Sequence, residues 1–131
     1  MNLLKERNLI RVVIKAEILA EIRNLLGLTM KAGVLVRGQD SVRTELKKGA
    51  SLLVLLASDH SKNVASMVEG YRRRGQCEVL VFEGLERARM EKELVTGSTQ
   101  ILGLPRDHGL TIKIRKLFVK GAVADEQDKN I

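Results

Sequence analysis

Aromatic residues make up only 2% of this 131-residue chain, namely Tyr71, Phe82 and Phe118. No set of exposed rings is therefore on hand for stacking unpaired bases. Cysteine occurs once, as Cys77, which excludes an intramolecular disulfide and leaves too few thiolates for a cysteine-based zinc site. His60 and His108 are the two histidines, and they lack the close spacing of a metal-binding helix, so no metal is expected. No apolar run approaches the ~20 residues a membrane span requires. The N-terminus mixes Lys5, Glu6, Arg7 and Arg11 with aliphatic residues and lacks the apolar segment of a secretory signal, so cytoplasmic residence is expected.

Signatures of enzymes are equally sparse. There is no phosphate-binding loop motif, and Gly38 stands alone in its turn without the further glycines of a dinucleotide fingerprint, so no cofactor is expected. Asp59, His60 and Ser61 are the residue types of a catalytic triad, but neighbours in sequence point in different directions, whereas a triad is gathered from distant segments. Cys77 opens an apolar segment, where a thiol behaves as a small hydrophobe. The chain reads as a protein without catalytic machinery.

What is present is charge and a regular apolar pattern. The formal net charge is +7. The acidic end of the chain, 121–131, lowers it; without those residues 22 basic face 13 acidic groups. Such an excess draws a protein toward polyanions, chiefly nucleic acid, by counterion release and long-range steering. The length suits one domain with one sizeable core.

The spacing predicts a helix over 15–32, with Ile18, Ile22, Leu25, Leu26 and Thr29 on one stripe, then a strand at 35–37 and a helix over 41–48. Gly33 and Gly49 sit where these helices stop. Leu52 to Ala57 is a run of apolar residues and reads as the middle strand of a sheet covered on both faces. Ser58, Asp59 and Ser61 offer cap oxygens to the next helix, whose apolar positions are Val64, Met67, Val68 and Tyr71 and which ends at Arg72, Arg73, Arg74 and Gly75. That arginine cluster meets the negative end of a helix dipole, and so is read first as a solvated cap and second as a further RNA contact.

Strand 78–82, helix 85–95 and strand 99–104, ended by Pro105, complete the alternation. Leu110 to Phe118 fits either period, and its context favours helix. The expected fold is a three-layer α/β/α sandwich with a four-stranded, mostly parallel or mixed sheet. It comprises residues 15–120, with an N-terminal extension over 1–14, possible packing of that extension on the domain, and a flexible acidic tail over 121–131. Within the extension, Met1 to Arg7 reads as loose.

Gly38 ends a strand and opens a helix whose first turn is polar. The free amides of a helix start, with Arg43 and Lys47 one turn apart, would hold phosphate. The alternative is that Asp40 merely caps the helix and the cations are solvated.

Three blocks in order, Leu25 to Gly33, Gly38 to Gly49 and Leu52 to Asp59, resemble the kink-turn-binding ribosomal proteins of the L-seven-A-e and L-thirty-e type, including bacterial YlxQ-like members. The resemblance implies the same sandwich and a structured RNA, ribosomal or kink-turn-like, as partner. It implies an RNA surface made by the start of the second helix and the loop after the last strand. Carried onto this chain, those positions are Arg37, Gly38, Gln39, Asp40, Ser41, Arg43, Thr44 and Lys47, with Gly103, Leu104, Pro105 and Arg106. In the family motif the glycine is followed by a small residue, asparagine, a glutamate or arginine, and later a lysine. Here the positions read Gly38, Gln39, Asp40, Ser41 and Thr44, and only the glycine matches. An ionised Asp40 cannot donate a hydrogen bond and repels phosphate; Arg43, one residue before Thr44, is placed to supply the missing cation. Two other functions remain open: a protein-interaction module on the same fold, and an accessory substrate-binding domain for RNA modification.

Overall fold

The computed structural model describes residues 10–94 and 99–130, the last nine of these as backbone alone. The strands are β1 (Ile10–Val13), β2 (Val36–Arg37), β3 (Leu52–Ala57), β4 (Cys77–Glu83) and β5 (Ile101–Pro105). The helices are α1 (Ala16–Lys31), α2 (Gln39–Lys47), α3 (Lys62–Arg73), α4 (Arg87–Leu94) and α5 (Gly109–Asn130). The strands form one sheet in the order β1-β4-β3-β5-β2.

All six residues of β3 are buried, as a central strand requires. Its side chains alternate between two cores. Leu53, Leu55 and Ala57 face one core with Ile18, Ile22 and Leu26 of α1, Met90 and Leu94 of α4, and Ile114 and Phe118 of α5. Leu52, Val54 and Leu56 face the other, with Val42 and Leu46 of α2 and Val64 and Val68 of α3. Two helices therefore cover one face and three the other, which is the expected sandwich. Phe82 and Phe118 meet in the larger core with ring centroids 4.9 Å apart.

The sheet has five strands and not the expected four. β1 lies in the segment expected to be an extension and pairs in parallel with β4, from Ile10 against Leu80 to Val13 against Glu83. Only Val12 of its four residues is buried, because an edge strand is covered on one face alone, and so few anchors left the segment unread as a strand. β3 and β4 are parallel, while β5 is antiparallel to both β3 and β2, making the sheet mixed.

Leu110 to Phe118 is helical, and α5 continues as backbone to Asn130 where an aperiodic tail was expected. Once Ile114 and Phe118 anchor a helix, each further residue adds a hydrogen bond at little entropic cost, and Ala122, Ala124, Glu126 and Gln127 favour helix. The expectations for Met1 to Arg7 and for a helix reaching Val95 fall outside the described residues. Among the described residues no helix is long and apolar enough to cross a membrane.

Candidate nucleic-acid interface

Gly38 opens α2 with φ +90°, a conformation glycine adopts without a Cβ penalty. Its amide donates to Ile101 O at 3.1 Å, and its carbonyl accepts from Val42 N at 3.0 Å. Having no side chain, it offers no cap to the first-turn amides, while Asp40 sets a carboxylate in the first turn against the positive end of the helix. Val42 and Leu46, both buried, fix the orientation of α2 on the sheet.

This anchoring turns Arg37, Asp40, Ser41, Thr44 and Lys47 outward, while Gln39 and Arg43 are half-buried. A shallow groove beside them is lined by Leu35, Val36, Arg37, Asp40, Ser41, Thr44 and Glu45. Asp40, with its side chain 97% exposed, lies 3.8 Å from Arg43. So exposed a pair is screened by water and leaves Arg43 able to serve another anion. Thr44 Oγ1 donates to Asp40 O at 2.8 Å, a bond inside the helix.

The second half of the expected surface lies elsewhere. In a sheet with β5 parallel to β3, the end of β5 would sit beside the start of α2. With β5 antiparallel, Leu52 pairs with Pro105 and Leu56 with Ile101, so Gly38 neighbours the start of β5 and Arg106 the opposite pole. Gly103 and Leu104 are buried, and Leu104 belongs to the larger core; neither can meet a base. Pro105 and Arg106 line a different groove, with Gly33, Ala50 and Ser51. Arg106 is held there by Nε to Ser51 Oγ and a terminal nitrogen to Gly75 O, each at 2.7 Å.

The triad-like run has structural partners. Asp59 Oδ1 accepts from Arg87 N at 2.8 Å and so caps α4. His60 Nδ1 meets Ala57 O at 2.7 Å, and Ser61 Oγ accepts from Val64 N at 3.2 Å to cap α3. Among the described residues no three His, Cys, Asp or Glu side chains gather as a metal site.

The feature the periodicity missed is Glu69, 2% exposed on α3. Its carboxylate takes two bonds from Arg72, at 2.6 and 2.8 Å, and a longer one from Arg73 at 3.4 Å. The Arg72 guanidinium, above all, holds this carboxyl below the usual glutamate range. The i, i+3 and i, i+4 spacing to two arginines was the available signal.

No known family profile matches the chain. It is 29% identical over 101 residues to the RNA-binding protein YlxQ of Enterococcus faecium, covering 72% of this chain and 88% of that one. A protein of unknown function from Bacillus halodurans shares the fold with a TM-score of 0.63 at 24% identity, over 80% of this chain and 99% of that one. A 15.5 kD RNA binding protein from Giardia lamblia shares it with a TM-score of 0.53 at 15% identity, over 80% of this chain and 88% of that one.

Proposed function

We propose that this chain is a non-catalytic RNA-binding protein of the cytoplasm that takes a structured, kink-turn-like RNA, such as a ribosomal one, against the start of α2. The observation that carries the reading is the start of α2: a helix terminus opened by Gly38 without a side-chain cap, flanked by Arg37 and Arg43, with Lys47 further along in the last turn of the helix. Backbone amides and guanidinium groups there converge on the same anion chemistry. The name of the similar Enterococcus protein points the same way. The scarcity of aromatic side chains favours a shaped RNA over an unpaired strand.

Gel-shift titration against a kink-turn RNA and an unrelated hairpin tests the reading. The wild-type chain binds at low salt and weakens steeply as salt rises. In R43Q/K47Q the slope of log K against log salt becomes shallower by about 1–2, as expected for two lost phosphate contacts. Absence of binding to either RNA at low salt would sink it. A protein-interaction module is the second reading, favoured by the carboxylate of Asp40 standing exposed at the helix start. Capture of a partner that persists after nuclease treatment, with no RNA binding, supports that alternative.

A further inference from the structure

The pole opposite the start of α2 gathers a second group of arginines, two of them paired with carboxylates. There the last turn of α3, the first turns of α5 and the residue after β5 converge on the amino-terminal end of β4. Arg72, Arg106 and Arg115, one from each, line a cleft over Cys77 and Val79, with Glu78 at its side.

Each guanidinium is fixed by a partner. Arg72 is locked by the buried Glu69, Arg106 by Ser51 and Gly75, and Arg115 Nε lies 3.0 Å from Glu78 Oε1. A guanidinium carries five N–H donors, so these bonds orient each group while leaving it further donors. Burial pushes the Cys77 thiol up to about 11, with Arg106 and Arg72 acting in the opposite direction.

Simple capping of α3 does not account for this arrangement. Arg74 does what a cap does, its Nε donating to Gly70 O at 3.1 Å. Arg72 is instead turned onto a buried carboxylate while its own side chain stays partly exposed. The effect here is to hold a guanidinium rigidly at the wall of the cleft.

We propose that this cleft is a second phosphate site, gripping RNA backbone with Arg72, Arg106 and Arg115 independently of α2. The nature of the ligand rests on the RNA reading above, while the residues are separate from it. From Ser51 to Leu56, about 17 Å of strand divides the two poles. That exceeds the Debye length of about 8 Å at physiological salt, so each pole attracts its own stretch of backbone. The chain then bridges two RNA segments. Glu78 is a competitor in this site, since phosphate must displace its carboxylate from Arg115.

The test uses the full chain and a fluorescein-labelled RNA hairpin with a long stem, read by anisotropy across a salt series. R115Q changes a half-exposed ion pair and leaves folding intact. It weakens binding and flattens the salt slope by about 0.7–0.9. R106Q/R115Q, with folding checked by circular dichroism, weakens binding further. E78Q removes the competitor and tightens binding several-fold, a gain that a merely structural role for Arg115 would not give. Residual binding by R37Q/R43Q is abolished when R106Q/R115Q is added. Binding by wild type that R115Q, R106Q/R115Q and E78Q all leave unchanged overturns the cleft while the α2 reading stands. Failure of wild type to bind RNA overturns both.

Discussion

The Gly38 amide donates to the Ile101 carbonyl at 3.1 Å, joining the turn that opens α2 to the first residue of β5. That one bond places the candidate interface at the end of the sheet where β3 and β4 finish. The segment leading into β5 is then the neighbour of α2, and the loop after β5 is not.

Substitution of Gly38 by alanine isolates the backbone requirement. A Cβ at this position meets nothing within 4 Å, so crowding is absent and the cost is that of φ +90° alone. G38A should destabilise the protein by about 1–3 kcal/mol, read from urea unfolding, and weaken RNA binding beyond that loss as the first turn of α2 re-aims. An unfolding midpoint equal to wild type would show that the turn accepts another conformation.

Removing Arg72 leaves the Glu69 carboxylate buried with only the more distant Arg73. R72A should therefore cost about 1–3 kcal/mol. Because the folded-state pKa of Glu69 lies below its ordinary value of 4.5, its contribution is complete above that pH and is lost as the pH falls through the lower folded value. In E69Q the acid limb of the stability curve below about pH 4.5 should flatten. An acid limb as steep as that of wild type would assign the loss to other carboxylates.

The thiol of Cys77, buried at the start of β4 and raised to about 11 chiefly by burial, should resist alkylation in the native state. Iodoacetamide at pH 8 should label the folded chain slowly and the unfolded chain at an ordinary thiol rate. Equal rates would mean that β4 opens readily at its first residue.

The layers were legible because burial imposes a period. The apolar run Leu52 to Ala57 could only be a strand covered on both faces, and Ile18, Ile22 and Leu26 could only be a helix packed on one. Strand direction leaves no such trace. The residues of β5 are buried whichever way the strand runs, so nothing in Ile101 to Pro105 announces that it opposes β3. That reversal separated Arg106 from Gly38. Glu69 was obscure for a related reason: a carboxylate inside an apolar stripe reads as solvent-facing until its arginine partners are placed.

Gly103 offers a way to disturb the interface without touching its surface. A Cβ there would lie 3.2 Å from Leu52 Cδ1, 3.3 Å from Val42 Cγ2 and 3.5 Å from Val36 Cβ. Those atoms belong to β3, α2 and β2, so Gly103 lies at the junction on which α2 rests. Alanine requires its neighbours to give by a few tenths of an ångström, and G103A should cost little. Valine adds two methyl groups to a filled space and should destabilise by about 1–3 kcal/mol. Because Val42 is the nearest part of α2, crowding that displaces the helix should lower RNA affinity in step with stability from G103A to G103V. Destabilisation by G103V with full RNA affinity would place the RNA contact away from α2.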